Sequence, residues 1–158
     1  MGHRVLVVTV SDGVSAGDRD DLSGDALEVM LSEHGYEVTR TLVADEKDRI
    51  AAAILEGRSS ADLILTTGGT GFGLRDVTPE ATTGVLERTA PGLVHAMIAS
   101  GLQSTPMAAL TRAVAGTVGQ TLVVNLPGSP RGATESLSAI VELLPHALQL
   151  LSGDNRHH

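Results

Sequence analysis

Apolar runs and amphipathic stretches alternate along this chain, and glycine or proline stands at most of the junctions between them. Short runs rich in valine, leucine and isoleucine predict strands at residues 4–10, 36–42, 63–67, 113–118 and 121–125. Apolar residues at helical spacing predict helices near residues 21–34, 46–56, 79–89 and 92–99, and a last one that begins after residue 129. Gly35, Gly57 and Gly101 each follow a helical stretch, so we expect them at C′ positions.

The order of these elements favours a single α/β domain over residues 1–153, followed by a frayed tail at residues 154–158. Strands and helices alternate in the opening section, which is typical of a layered fold with a parallel sheet. Gly119-Gln120 separates the last two strands, and glycine at the first position of a two-residue loop predicts a type II′ hairpin. We therefore expect one antiparallel pair in a mostly parallel, mixed sheet.

The last helix carries two separate signals. Ser129-Pro130 is typical of an N-cap followed by proline at the first helical position. Apolar residues then form one helical stripe at positions 133, 137, 140, 141, 144, 148 and 151. Pro145 lies inside this stripe and is expected either to kink the helix or to split off its final turn.

Composition narrows the classes of function. The chain is 42% hydrophobic, enough for one domain with a core, and it has no cysteine for a disulfide, a thiolate zinc site or a thiol nucleophile. A net charge of −8 and only one tyrosine and one phenylalanine disfavour a nucleic-acid partner. No apolar run approaches the roughly 20 residues that span a bilayer, and no signal peptide precedes the first strand. We expect a cytoplasmic protein with no membrane contact.

A glycine-rich segment after the third strand predicts a site for a phosphorylated ligand. Glycines at 68, 69, 71 and 73 allow positive φ angles and a close approach to a ligand, and threonines at 66, 67 and 70 add hydroxyl donors. A P-loop is excluded because the only lysine, Lys47, lies outside the segment, and a dinucleotide fingerprint fails because Leu74 stands where its third glycine should be. Positive charge must therefore come from arginines such as Arg75, Arg112 and Arg131.

The same segment predicts the start of a helix that points back toward the glycines. Thr78 is expected as the N-cap and Pro79 as the first helical residue. An isolated glycine-rich turn is more often a plain connection, but here Arg75 and Asp76 stand directly before a capped helix. This combination favours a binding site.

Four segments carry a family resemblance. They are Thr9-Val10-Ser11-Asp12, Asp21-Leu22-Ser23-Gly24, residues 66–81 and Asn125-Leu126-Pro127-Gly128. With them the chain resembles the molybdopterin adenylyltransferase family, the group of MogA, MoaB and the gephyrin G domain. The resemblance implies a three-layer α/β/α fold and a homotrimer. It also implies transfer of AMP from Mg²⁺-ATP to the terminal phosphate of molybdopterin, with release of pyrophosphate, and a molybdate-inserting enzyme as a further partner.

Two aspartates are the candidate catalytic residues and magnesium ligands. Asp45 and Asp76 each stand between a strand and a helix and match family positions tied to catalysis. Asp45 has an equally plausible alternative as the N-cap of the next helix. Asp76 is favoured as functional, since Thr78 is expected to fill the cap. Asp12 is either a pterin or metal contact or a plain turn residue, and Ser23 is either on the nucleotide-side loop with Ser11 and Gly24 or a helix cap.

The second half contributes the end of a strand and the start of the last helix, whose N-terminus is suited to an anion. Ser129 and Pro127-Gly128 have a plain cap and turn as their alternative. Arg112 is interpreted as a pterin or phosphate anchor from the resemblance. The full set of candidate binding residues is Ser11, Asp12, Ser23, Gly24, Thr67, Gly68, Gly69, Thr70, Gly71, Arg75, Thr78, Pro79, Glu80, Thr111, Arg112, Asn125, Pro127, Gly128 and Ser129.

Three positions depart from the family pattern. Thr111 stands where many members have serine, and His95 and Ile98 stand where many have an acidic residue and an arginine. Loss of a charge pair would weaken substrate binding. Two alternatives to the transferase therefore stay open, a MoaB-type paralogue that binds molybdopterin with little turnover and a trimeric scaffold.

Overall fold

The computed structural model describes residues 2–153, so the tail predicted at residues 154–158 lies outside the described part. The strands are β1 (Arg4–Val10), β2 (Glu37–Val43), β3 (Leu63–Thr67), β4 (Arg88–Thr89), β5 (Ala115–Val118) and β6 (Thr121–Leu126). The helices are α1 (Asp12–Ser15), α2 (Leu22–Glu33), α3 (Lys47–Gly57), α4 (Thr78–Thr83), α5 (Pro91–Leu102), α6 (Pro130–Ile140) and α7 (Leu144–Leu151), with a 3₁₀ helix at Pro106–Leu110. No helix within this range is long and apolar enough to cross a membrane.

The six strands form one sheet in the order β2-β1-β3-β6-β5-β4. β1 is parallel to β2 and β3, and β3 is parallel to β6, whereas β5 is antiparallel to both β6 and β4. The predicted hairpin is confirmed, because Val118 pairs with Thr121 and Gly119 has a φ of +59° while Gln120 does not have a positive φ. The sheet has two antiparallel pairs, one more than expected, because β4 was not predicted.

Helices cover both faces of the sheet, which confirms the three-layer α/β/α architecture. On β3, Leu63 and Leu65 face one core cluster and Ile64 faces the other, since successive side chains of a strand point to opposite faces. α2, α5, α6 and α7 pack in the first cluster, and α3 and α4 pack in the second. β3 is buried over its whole length, so its apolar run lies in the centre of the molecule.

Two of the three glycines expected at C′ positions have another role. Gly35 follows α2 with a φ of +86°, as predicted. Gly57 is the last residue of α3 and Gly101 lies inside α5, so neither follows its helix. A Cβ atom at position 57 would lie 2.5 Å from Leu6 Cδ2, which shows that this glycine is required by packing against the sheet.

The helix predicted at residues 79–89 is much shorter. α4 ends at Thr83, and the chain then turns so that Arg88 and Thr89 pair with β5. This strand pairing depends on a distant segment and overrides the local helical pattern. α1 and the 3₁₀ helix were also not predicted, because elements of 4 and 5 residues are too short to show a periodicity.

The C-terminal elements follow the sequence. Ser129 is the N-cap of α6, and its hydroxyl accepts a hydrogen bond of 3.0 Å from the Gly132 N–H. Pro145 lies in the first turn of α7, so the predicted helix is split in two. The predicted apolar stripe is buried against the sheet over both helices at Ala133, Leu137, Ile140, Leu144 and Leu148.

Candidate functional site

The predicted site residues gather where four parallel strands end. β1, β2, β3 and β6 are mutually parallel neighbours, so their carboxyl ends share one edge of the sheet. The loops that leave this edge begin at Ser11, Ala44, Gly68 and Pro127. Ligands of open α/β sheets bind outside the carboxyl ends of the strands, so this edge is the candidate site.

The glycine loop, residues 68–76, passes very close to its neighbours. Gly68 and Gly69 have φ angles of +107° and +70°, which non-glycine residues rarely adopt. A Cβ at position 68 would press on the Val10 carbonyl oxygen, and one at position 128 would lie 3.1 Å from Gly68 Cα. Thr67 Oγ1 also donates to the Pro127 carbonyl at 2.6 Å. These contacts hold the loops after β1, β3 and β6 against one another.

Several backbone donors at this edge have no acceptor among the described residues. Within residues 2–153, the N–H groups of Gly69, Thr70 and Gly71 form no hydrogen bond, and neither do those of Gly128 and Ser129. Unpaired N–H groups in glycine-rich turns and at a helix N-terminus attract anions. The glycine loop and the loop after β6 can therefore bind phosphate oxygens without a lysine.

Asp12 and Asp45 link the loops after β1 and β2. Asp45 Oδ2 accepts from the Asp12 N–H at 2.9 Å, and Asp12 Oδ1 accepts from the Asp45 N–H at 3.0 Å. Arg75 then donates to both oxygens of Asp12, through Nε and Nη2, each at 3.0 Å. The hydrogen bonds from Arg75 lower the pKa of Asp12. Asp12 is thus not a plain turn residue, since it joins the glycine loop to the loops after β1 and β2.

Asp45 and Asp76 each keep one carboxylate oxygen available. Burial raises the pKa of Asp45, and the negative charges of Asp12 and Asp76 add to the rise. Asp76 Oδ2 accepts from the Gly73 N–H at 3.0 Å. Oδ1 of either aspartate accepts no hydrogen bond from residues 2–153. No group of three potential metal ligands occurs within this range. The two carboxylates suit Mg²⁺, which commonly takes one or two protein carboxylates and fills the remaining positions with water and phosphate.

The structure excludes the cap alternative for Asp45, and the prediction of Thr78 as a cap is wrong. The N-cap of α3 is Glu46. The Asp45 side chain accepts a hydrogen bond from the Asp12 N–H instead of capping the helix. The N-cap of α4 is Val77, so Thr78 is already helical and Pro79 is the second residue. Thr78 is fully buried and its hydroxyl donates to the Gly68 carbonyl at 2.8 Å. The Thr78 hydroxyl bonds the glycine loop and does not cap the helix. Asp76 is therefore no longer favoured as functional on the ground that Thr78 fills the cap.

Arg112 braces the glycine loop. Its Nε donates to the Gly71 carbonyl at 2.7 Å and its Nη2 to the Asp76 carbonyl at 2.8 Å. Its Nη1 donates to Glu80 Oε2 at 2.6 Å, and its backbone N–H donates to the Thr70 carbonyl at 2.8 Å. The hydrogen bond from Arg112 lowers the pKa of Glu80. The structure therefore places the predicted anchor in contact with the loop and with α4.

Asn125 is a buried residue that supports the site through hydrogen bonds. It is fully buried, and its Oδ1 accepts from the Val114 N–H at 3.1 Å. Its Nδ2 donates to Thr66 Oγ1 at 2.8 Å and to Thr82 Oγ1 at 3.0 Å. Both amide hydrogens are occupied, so Asn125 positions β3, β6 and α4 at the site through these bonds.

Two clefts open at this edge and share Ser129 in their walls. The polar cleft has a volume of about 620 Å³ and is lined by residues that include Ser11, Arg19, Asp21, Ser23, Thr67 and Gly128. The apolar cleft has a volume of about 320 Å³ and is lined by residues that include Thr70, Gly71, Met97, Ile98, Thr111 and Pro127. Two of the departures from the family pattern, at positions 98 and 111, thus border the apolar cleft, whereas His95 is exposed outside it.

The N-terminus of α2 shows a residue that the sequence analysis missed. Asp21, not Ser23, is the cap, and its Oδ1 accepts from the Gly24 N–H at 3.0 Å. Its Oδ2 accepts from Thr9 Oγ1 and from Arg40 Nη2. Ser23 is buried in the first turn. An aspartate three residues before an N–H at a helix start is a capping signal, and the segment Asp21-Leu22-Ser23-Gly24 contains it.

Comparisons with known proteins find relatives over most of the chain. A family model described as a probable molybdopterin binding domain matches residues 6–146. The chain is 39% identical over 153 residues to the molybdopterin adenylyltransferase of Helicobacter pylori strain 26695, over 94% of this chain and 87% of that protein. It is 35% identical to the molybdopterin adenylyltransferase of Escherichia coli K12, over 95% and 86%. The crystal structure of the molybdopterin biosynthesis enzyme MoaB from Thermus thermophilus superposes with a TM-score of 0.87 at 49% identity, over 96% and 97%.

Proposed function

Because this chain belongs to the molybdopterin-binding family that includes the MogA and MoaB proteins, we propose that it transfers AMP from ATP to molybdopterin. In this reaction an oxygen of the terminal phosphate of molybdopterin forms a bond to the α-phosphorus of ATP. The bond from that phosphorus to pyrophosphate breaks, and pyrophosphate leaves. The product is the adenylylated pterin of molybdenum cofactor biosynthesis.

The observation that carries the proposal is the position of Asp45 beside the glycine loop, close to Asp76 at the end of that loop. The Oδ1 atom of each carboxylate accepts no hydrogen bond from the described residues, and the raised pKa of Asp45 reflects its burial and its closeness to other negative charge. Mg²⁺ bound there would neutralise charge on the phosphates, which otherwise repel each other. The protein's own task is then to position two anions for in-line attack, and the braced loop is suited to it.

The two clefts suggest where each substrate lies. The polar cleft contains Ser11 and Ser23, which the family resemblance gives to the nucleotide side, and the start of α6, which is suited to an anion. Molybdopterin would then take the apolar cleft, with its phosphate directed toward Ser129, which borders both. Thr70 and Gly71 line the apolar cleft, and their N–H groups, which form no hydrogen bond within residues 2–153, would bind oxygens of the transferred phosphoryl group.

The proposed reaction is tested by measuring pyrophosphate release from ATP by the purified protein. We expect release only when molybdopterin and Mg²⁺ are both present. Chelation of the metal should stop it, and addition of Mg²⁺ should restore it. Release at the same rate without molybdopterin would indicate an ATP hydrolase instead.

A second candidate is a MoaB-type protein that binds molybdopterin with little turnover. The 49% identity to the Thermus thermophilus MoaB and the residues Ile98 and Thr111 at the apolar cleft favour this alternative. It predicts stoichiometric binding of molybdopterin, measured by fluorescence titration, without pyrophosphate release from ATP. A scaffold would show neither property.

The proposed assembly is a cytoplasmic homotrimer that passes its product to a molybdate-inserting enzyme. Several large apolar side chains are exposed near the apolar cleft, including Leu102, Met107 and Leu110. Their burial between subunits would stabilise an oligomer. Light scattering at micromolar concentration should give the mass of three chains, and a monomer would contradict this assembly.

A further inference from the structure

We propose that Arg19 is the cation that binds the phosphate groups of the nucleotide in the polar cleft. This inference rests on the proposed function, because it requires an anionic ligand in that cleft. It adds a binding residue that neither the glycine loop nor the carboxylates supply. Arg19 lies between two aspartates in sequence, and the local pattern alone does not distinguish it from an ordinary surface arginine.

The backbone after α1 folds Arg19 back over the end of β1. Gly17 has a φ of +82°, and this turn lets the N–H groups of Asp18 and Arg19 both donate to the Gly13 carbonyl, at 2.8 and 3.3 Å. The guanidinium then lies against Gly13, where a Cβ atom would be only 2.6 Å from Arg19 Nε. Arg19 Nη2 donates to Ser11 Oγ at 3.0 Å. The side chain is thus directed to the wall of the polar cleft.

The arginines nominated from the sequence already have acidic partners. Arg75 pairs with Asp12, Arg112 with Glu80 and Arg131 with Glu135. Arg40, near the cleft, pairs with three acidic residues of the α2 region. Within residues 2–153, Arg19 forms no ion pair, and its one side-chain hydrogen bond goes to a neutral hydroxyl. Its charge is therefore available to a ligand.

The acidic residues around the cleft give this cation a further role. Asp18, Asp20 and Asp21 also line the polar cleft. Asp21 pairs with Arg40, which it shares with two other carboxylates, but Asp18 and Asp20 form no ion pair within the described residues. Without Arg19 the mouth of the cleft would carry only uncompensated negative charge, which repels phosphate.

Calorimetric titration of ATP and of adenosine tests the inference. Arg19→Ala should bind ATP about tenfold more weakly or worse, because a charge-assisted hydrogen bond and its Coulomb attraction are lost. Adenosine, which has no phosphate, should bind the variant as it binds the wild type. Arg49→Ala is the matched control, since it removes one exposed arginine on α3, away from the cleft, and should leave both affinities unchanged.

A second variant moves the charge without removing it. Gly13→Ala should displace the guanidinium, because Arg19 Nε lies where the new methyl group must fit, while the helical backbone of α1 accepts alanine. We expect a severalfold weaker ATP affinity with an unchanged melting temperature. Unchanged ATP affinity in Arg19→Ala, or equal losses for ATP and adenosine, would overturn the role of Arg19. A wild-type protein that binds no ATP would overturn the proposed function as well.

Discussion

The loops that follow β3 and β1 meet at the same edge of the sheet but use their charged side chains differently. In the loop after β3, Arg75 and Asp76 both form hydrogen bonds within the protein. Arg112, which lies outside this loop in sequence, donates to its backbone. In the loop after β1, Arg19 rests on a glycine and has no acidic partner among the described residues. The comparison shows that hydrogen bonds hold the loop after β3 in place, whereas the loop after β1 leaves one arginine without an ion pair among the described residues.

Among changes in the braced loop, Asp76→Asn is expected to have the largest effect on turnover. The asparagine oxygen can still accept from the Gly73 N–H, so the loop should keep its conformation. Turnover should nevertheless fall by about 100-fold or more, since the negative charge that would hold Mg²⁺ is lost. The rate of pyrophosphate release and the melting temperature should be measured together. Glu46→Gln, at an exposed acid beside Asp45, should keep both values, and a fully active Asp76→Asn would remove Asp76 from the mechanism.

Gly68→Ala tests the close approach of the loops. The φ of +107° is unfavourable for alanine, and the new methyl group would press on the Val10 carbonyl. We expect a loss of about 2–4 kcal/mol in the free energy of unfolding, measured by urea denaturation. Gly92→Ala provides the control, because a Cβ there meets no atom within 4 Å. Equal stability of the two variants would mean that the loops are not tightly packed.

Arg112→Ala should loosen the glycine loop without removing any ligand-facing charge. We expect kcat to fall by about 10- to 100-fold because the transferred group is misplaced, with a smaller change in KM for either substrate. Arg112→Lys should recover only part of the rate, since an ammonium group cannot span Gly71, Asp76 and Glu80 together. If KM for molybdopterin rose while kcat stayed constant, Arg112 would instead be the substrate anchor that the family resemblance implies.

The smallest effect concerns the pH dependence of stability at Asp45. Its pKa is raised in the folded state, mainly by burial, so ionisation of Asp45 opposes folding as the pH rises through that value. Asp45→Asn should therefore raise the melting temperature by a few degrees at neutral pH and leave it unchanged at a pH well below 3.8. Asp12 has the opposite shift, so its contribution is present at neutral pH and is lost as the pH falls. A lower melting temperature for Asp45→Asn at neutral pH would contradict this balance.

The sequence predicted the elements that depend on local pattern. β1 and β3 lie at the predicted residues, the hairpin at Gly119 has the predicted turn, and Pro145 divides the last helix. These features follow from apolar runs, from a glycine with positive φ and from a missing N–H. The edge of the sheet where the site lies also follows, since parallel strands end together.

Local sequence patterns could not predict the contacts between distant segments. Thr78 matches an N-cap by type and position, but its hydroxyl bonds a carbonyl ten residues away, in a loop whose path local patterns do not define. Asp12 and Arg75 are 63 residues apart and meet only because two loops leave the same edge. Arg19 was missed for a similar reason, because its position depends on a turn at Gly17 that an exposed polar stretch does not indicate.

The most direct test of the proposed transferase is a single-turnover reaction with ATP labelled at the α-phosphate. The wild-type protein, supplied with molybdopterin and Mg²⁺, should move the label from ATP into an adenylylated pterin, identified by its mass, with one pyrophosphate released for each product. Asp76→Asn should bind both substrates and form this product at least about 100-fold more slowly. Label that stays in ATP, with wild-type protein that binds both substrates, would contradict the account and assign the chain to the binding-only proteins.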